Sequence, residues 1–392
     1  MRIAINGCGV AGPALAWWLG RAGHDPVIFE TAAERRSGGY VIDFWADGYD
    51  IAARMGLIPR LSEAGYVVER LDTYDSAGRR TTRVPGKVFQ ALTDGRYLSI
   101  ARSDLAAVVH DACGGVETRF GCSVTALEDR GDRVEAGLSD GSRETFDLVI
   151  GADGLHSKVR ELVFGPEERF EQHLAYHVAA VTLDGYRPRD ELVYVSHTVP
   201  GRQVARFSMR GDRTLVLFVF ASHLMGGEPR GAAEVRAMLR QVYGGMGWET
   251  PAILERIGDP EDMYFDRVSQ IRMSAWSKGR VALAGDAAAC ASLLAGEGTG
   301  LAMVEAYVLA GELSRAGGDH VAAFAGYEMR LRDHLAKKQK NARSFAGFFA
   351  PKNNATLFLR DWMLRLTAVP FLARLMLGGM LMQKIELPDY GL

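Results

Sequence analysis

Gly7, Gly9 and Gly12, in the stretch RIAINGCGVAG, have the spacing that lets a backbone wrap around a phosphate. Gly7 permits a sharp turn, Gly9 lets the chain approach a pyrophosphate, and Gly12 lets the next helix pack closely on the strand before it. That helix would add N–H groups and the positive end of its dipole. Glu30, 18 residues past Gly12, is placed to accept both hydroxyl hydrogens of a ribose. The chemistry on offer is dinucleotide binding. Two more turns have a similar form. FDLVIGADGLHSKVRELVFG ends an apolar strand in Asp153-Gly154 before a helix with Ser157 and Arg160. KGRVALAGDAAACASLLAGEGTGLAMVEAYVLAGEL ends one in Gly285-Asp286, then opens a long helix near Gly298 through a glycine-rich loop. Each has a plain structural reading when taken alone: Asp286 as an N-cap, Asp153-Gly154 as an ordinary turn, and residues 296–300 as a helix start.

The elements that hold these residues are readable as well. After the first turn Ala14, Leu15, Trp18, Leu19 and Ala22 recur at helical spacing, Gly23 suits the helix end, and PVIF is a short apolar strand, which completes a βαβ unit. Residues 171–271 alternate in short strands such as HVAAVTL, ELVYVSHTV, RQVARFSM and TLVLFVFAS, separated by turns, and read as a mostly antiparallel sheet. One face of that sheet is expected to carry helices and the other to form an apolar cleft for a small ligand. Gln203 and Arg206, on RQVARFSM, are the candidates for holding a polar substrate group, with the solvent face as the alternative. His156, His173, His177, His197 and His223 have no spacing to a serine, cysteine or metal ligand and read as polar loop or sheet residues, so no metal site is expected.

After residue 326 the pattern turns helical. TLFLRDWMLRLTAVPFLARLMLGGMLMQ is apolar, but Arg360, Asp361, Arg365 and Arg374 interrupt it and Pro370 breaks it, short of the roughly 20 clean residues a membrane span needs. A pair of bridging helices, a lid over the substrate and a membrane-surface anchor remain open. With 392 residues, 48% hydrophobic, and a formal net charge of −2, the chain has room for about two domains and no basic bias toward nucleic acid. Cys8, Cys113, Cys122 and Cys290 lack metal-ligand spacing and read as free thiols in a reducing cytoplasm; RIAI already belongs to the first strand, so no secretion signal is expected.

In this order and at these distances the three motifs resemble the single-component FAD-dependent aromatic hydroxylases, the family of para-hydroxybenzoate hydroxylase. Length and the segment ARSDLAAVV are most similar to its tetracycline-inactivating members. The resemblance covers most of the chain and is most specific at the flavin site. It implies an α/β fold with a discontinuous Rossmann-like FAD-binding domain (1–72, 99–170 and 272–325), an inserted antiparallel substrate domain (73–98 and 171–271), and bridging C-terminal helices (326–392). The oligomeric state is left open, with a monomer favoured.

The same resemblance implies FAD contacts from Gly7, Gly9, Val10, Ala11 and Gly12 at the pyrophosphate, Glu30 and Thr31 at the adenosine end, and Val124 at adenine through its backbone. Arg35, in ERRSGGYVIDF, and Arg102 would flank the phosphates and ribityl chain. Asp153 would lie in a motif shared by flavin and NAD(P)H, Asp286 would bind the ribityl chain, and Gly296, Gly298, Thr299 and Gly300 would face the pyrimidine end of the ring. The activity implied is NAD(P)H-consuming hydroxylation of an aromatic or polycyclic small molecule through a flavin C4a-hydroperoxide. A flavin reductase or oxidase, or a non-catalytic flavin-binding protein, is the alternative. No nucleophile is required, and no catalytic side chain is assigned. The usual histidine, proline and asparagine of the flavin loop are replaced by Ala289, Leu293 and Gly300, and Glu297 stands where glutamine is frequent. Leucine at 293 is expected to leave that loop looser and to favour a bulky, water-excluding substrate.

Overall fold

The computed structural model describes residues 1–35, 40–258, 263–381 and 385–392. Its first layer is a six-stranded sheet in the order Ser277–Lys278, Val281–Leu283, Leu148–Gly151, Arg2–Asn6, Asp25–Glu30, Glu117–Phe120. All neighbours are parallel except the edge hairpin. The central strands read as apolar runs because both faces are covered; Ile3, Ala4 and Ile5 are all buried although successive side chains point opposite ways. Helices Ala11–Arg21 and Gly298–Arg315 pack together on this sheet, with the Trp18 ring edge-on to Tyr307 at 4.7 Å between centroids. Asn6 pairs with Gly151, and Gly151 with Leu283. The three strands therefore stop side by side. Their turns, at Gly7, Asp153 and Gly285, gather at the carboxyl edge, where open α/β sheets bind ligands.

The second layer is a seven-stranded sheet in the order Tyr264–Ile271, Glu171–Asp184, Arg213–Ala221, Arg202–Met209, Val193–Val199, Arg70–Tyr74, Arg80–Pro85. It is antiparallel except where Val193–Val199 meets Arg70–Tyr74. The two-residue alternation splits it into faces. Ala179, Val181, Val204, Val216 and Phe218 pack under helices Ala232–Tyr243 and Thr250–Arg256. Val178 and Val219 meet Leu294 and Ala350, and Ala180 and Phe207 meet Tyr66 and Tyr40. This second face looks onto the glycine-rich loop of the first layer. A two-stranded ribbon, Val41–Trp45 with Tyr97–Ala101, lies between the layers.

The helical pattern expected after residue 326 starts earlier, at His320, because the Asp319 side chain accepts N–H groups from Val321 and Ala322 and caps the helix. Gly326 falls inside that helix, His320–Phe349. A capping box of Asn353 and Thr356 opens Asn354–Thr367, and Pro370 starts the last helix, Pro370–Leu381, after the break expected there. Among the described residues no helix is long and apolar enough to cross a membrane.

Candidate functional site

Gly7 and Gly12 are fixed by packing. A Cβ on Gly7, whose φ is +115°, would stand 2.4 Å from the Ala152 carbonyl oxygen, and one on Gly12 would stand 2.0 Å from that of Gly7. Gly9 differs. A Cβ there meets nothing within 4 Å, so the turn has open space where a pyrophosphate would lie. The residues fit a dinucleotide on that observation. Val10 and Ala11 are buried at the helix start, and Thr31 is exposed. Glu30, at its strand end, accepts N–H groups from Cys8 (2.8 Å) and Ala32 (2.9 Å), which ties the glycine turn to the second strand.

Arg35 is exposed and paired with Asp111 at 2.5 Å; it lies near enough to Cys8 to counter the burial and the Glu30 charge that push that thiol up to about 12. Residues 36–39 of its motif lie outside the described residues. Arg102 has its guanidinium 6.0 Å from the Tyr40 ring centroid, and Tyr40, then Asp286, hold it above its ordinary pKa against burial. Val124 is buried, and its N–H is donated to the Asn6 side chain at 2.9 Å, so that N–H is not free for adenine.

Asn6 is a residue the sequence reading passed over. Its amide also donates to Asp153 at 3.0 Å. Asp153 accepts in addition from Ser157 Oγ (2.5 Å), Lys158 N (2.8 Å) and Val159 N (3.1 Å), and thereby caps the helix that follows. The fully buried Arg160 donates to Leu155, to Glu167 and to the Ala287 carbonyl, joining this turn to the one at Gly285. A polar residue at the end of an apolar parallel strand was the available signal for Asn6.

At the third turn Gly285 has φ +65° and donates its N–H to Glu305 at 2.8 Å. Asp286 follows, 3.6 Å from where a Gly298 Cβ would stand, so the carboxylate and the start of the Gly298 helix share one corner. Gly48 and Gly300 touch through their backbones: a Cβ on Gly48 would lie 2.3 Å from Gly300 Cα. Beside them a pocket is lined by Asp43, Trp45, Asp47, Gly296, Glu297 and Lys338. The buried Trp45 indole N–H has no hydrogen-bond partner among the described residues. Lys338, buried on the long helix, donates to Glu297 at 3.0 Å, and burial raises the Glu297 carboxyl pKa while the lysine opposes that. Thr299 lies within the first turn of the Gly298 helix.

The segment leading into Leu293 is braced at Cys290 and Ala291. Gln270 Nε2 donates to the carbonyls of Ala291 and Gln339, each at 2.7 Å. Gln339 Nε2 donates to those of Ile271 (2.7 Å) and Cys290 (3.1 Å). Two buried amides thus hold the segment that a proline was expected to stiffen.

Gln203 and Arg206 lie on opposite faces of their strand. Gln203 is buried and donates to Thr198, which also receives Arg360 of the C-terminal helices. Arg206, expected at the cleft, is on the helix-covered face instead, bound by Glu249 at 2.6 and 2.8 Å and Asp190 at 2.7 Å. Residues three apart on a strand point opposite ways, so the two could not share one cleft. What does join the layers is Asp43, which accepts from Ser99 (2.6 Å), Tyr97 (2.7 Å) and, across the interface, Tyr194 (3.3 Å); burial raises its pKa against these hydroxyls. His156 makes a second tie, to Glu167 at 2.9 Å and Asp266 at 3.2 Å.

Three strand-end turns at one edge of a parallel sheet, a glycine-opened helix beside them and an antiparallel sheet facing both define a two-layer, dinucleotide-binding flavoprotein. Comparison with known proteins narrows the class. The family described as FAD binding domain matches residues 1–320, and the chain belongs to it; it is an FAD-dependent monooxygenase. A flavin-dependent monooxygenase of Legionella longbeachae serogroup 1 (strain NSW150) is 34% identical over 350 residues, 87% of each chain. The crystal structure of the tetracycline destructase Tet(51) aligns at TM-score 0.84 and 30% identity over 99% of both chains. Klebsiella pneumoniae HpxO, complexed with FAD and uric acid, aligns at TM-score 0.78 and 25% identity over 93% of this chain and 92% of that one.

Proposed function

We propose that this monooxygenase hydroxylates an aromatic or polycyclic small molecule, consuming NAD(P)H and O2. The observation that carries the reading is the meeting of the Gly7, Asp286 and Gly298 elements at one corner that faces the second sheet. Open backbone at Gly9 and the Arg102 cation would hold the FAD phosphates, Asp286 would take a ribityl hydroxyl, and the N–H groups at the start of the Gly298 helix would face the pyrimidine end, where the positive helix end favours negative charge. When bound and reduced, FAD supplies the activation of O2. The protein's share is orientation and exclusion of water, through the apolar sheet face around Val178, Val219 and Leu294. Asp43, beside the pocket, accepts hydroxyl hydrogens from Tyr97 and Ser99 of the ribbon and from Tyr194 of the second sheet, and burial raises its pKa against them. Two structural relatives, named for tetracycline and crystallised with uric acid, support a ring compound as substrate.

The test is NAD(P)H consumption by the yellow, FAD-loaded protein across phenols, quinones and polyketide aromatics, with product mass measured. A substrate that speeds NAD(P)H loss and gains one oxygen supports the proposal. Oxidation that no ring compound accelerates, with hydrogen peroxide as the sole product, refutes it.

A further inference from the structure

The two C-terminal helices each have one face with a partner and one without. Leu364, Thr367 and Ala373 turn inward, Ala373 and Leu364 against Val84, Val88 and Leu92. On the outer side Phe358 is 72% exposed, Trp362 51%, Phe371 75% and Leu375 74%. Phe358, Trp362 and Arg365 follow one helical stripe, and Phe371, Arg374 and Leu375 follow another. Large apolar side chains in such number at a surface call for an occupant.

The charge says which. Residues 352–376 hold four Lys or Arg, namely Lys352, Arg360, Arg365 and Arg374, against a single carboxylate, Asp361, in a chain whose formal net charge is −2. Asp361 is bonded to its neighbour Arg360 at 2.7 Å. Arg365 and Arg374 stand among the exposed apolar residues, and Lys352 lies just before the first of these helices. Aromatic and leucine side chains interspersed with arginines, with one acid that is already paired, are the pattern of a helix lying in a membrane interface: rings enter the acyl boundary while guanidinium groups reach phosphate. A second copy of the chain would bring arginines against arginines. We infer that the outer face of Asn354–Thr367 and Pro370–Leu381 docks this monooxygenase on an anionic lipid bilayer, as a peripheral contact that spans nothing.

Vesicle flotation of the full-length, FAD-loaded protein tests this, with pure phosphatidylcholine compared to a mixture containing phosphatidylglycerol. The wild type should float with the anionic vesicles and much less with neutral ones, and 0.5 M salt (about 4 Å of screening length) should release it. Arg365→Gln and Arg374→Gln should each lower the partition coefficient about fivefold. The pair Trp362→Ser and Phe371→Ser should abolish flotation with flavin absorbance retained; if that variant loses flavin, the wild-type salt and lipid series decides. Equal binding to both lipids, no binding to either, or a wild-type dimer that the serine pair turns into a monomer would overturn the inference, the last by giving the face to a second copy.

Discussion

The Glu305 carboxyl accepts the Gly285 amide at 2.8 Å and lies 2.9 Å from the Tyr327 hydroxyl, and so supports the strand end that presents Asp286. Tyr327 also lies 3.2 Å from the Leu283 carbonyl, and its one hydrogen can serve only one of these acceptors. A protonated Glu305 resolves the conflict by donating to Tyr327. Burial pushes its pKa up to about 8, against 4.5 for an ordinary glutamate. Between those values the folded state holds a proton that the unfolded chain has lost, so stability falls as pH rises through that window, by at most about 1.4 kcal/mol per pH unit. Glu305→Gln should flatten this slope in denaturant titrations from pH 5 to 8 while keeping FAD. A slope identical to wild type would mean the carboxyl is ionised throughout.

Gly9 and Gly12 should separate stability from cofactor binding. Gly9→Ala puts a methyl into space that no protein atom fills, so melting of the flavin-free protein should be unchanged and FAD affinity should drop about tenfold or more. Gly12→Ala drives a methyl onto the Gly7 carbonyl and should lower both. Isothermal titration and apo-protein melting distinguish them; FAD affinity untouched by Gly9→Ala would move the pyrophosphate elsewhere.

Asp286→Ala removes a charged acceptor at the corner shared with Gly298, a loss of about 1.5 to 3 kcal/mol in FAD binding if it holds a ribityl hydroxyl. Fluorescence titration with FAD reads this directly. Unchanged affinity would leave Asp286 as a helix-starting residue alone.

The glycines were legible because their spacing is local: turn, helix and next strand lie within 30 residues. The braces were not. Asn6 reaches Val124 across 118 positions, Gln339 reaches Ile271 across 68, and Glu305 reaches Gly285 across 20. Nothing in a strand or helix pattern marks such a partner before the chain is folded. Arg206 shows a different limit. Alternation alone separates it from Gln203, which the expectation of both at one cleft overlooks; and because both faces of this sheet are buried, period could not say which of the two looks at the flavin layer.

His156 ties the first layer to the second through Asp266. That hydrogen bond, then the Asp266 charge and Glu167, raise its pKa to about 9 from 6.5, against partial burial. The stabilisation is complete below pH 6.5 and is lost as pH climbs through 9. Wild-type melting temperature should therefore fall across this interval by more than that of His156→Gln, and parallel curves would show that the contact does not couple the layers. Half-exposure keeps the effect small.

The flavin loop gives the last prediction, which reverses the expectation drawn from Leu293. Leu293 opens a short 3-10 turn after Ser292, a position where proline is tolerated because its missing N–H is not needed. The neighbouring carbonyls are already held by Gln270 and Gln339. Leu293→Pro should thus add little rigidity, leaving the ratio of hydroxylated product to hydrogen peroxide within about twofold, roughly 0.4 kcal/mol. Gln339→Leu should act strongly: it leaves the Ile271 carbonyl buried without that donor, at about 1 to 3 kcal/mol, leaves the Cys290 carbonyl with the Ile271 amide alone, and loosens the segment between Asp286 and the ring-facing glycines. Its melting temperature should drop, and with a polycyclic phenol its product should give way to peroxide. Gln339→Glu, which keeps shape but loses the donor, should follow the leucine variant. If Leu293→Pro improves coupling while both Gln339 variants leave it alone, the leucine sets the loop's stiffness and the glutamine amides do not.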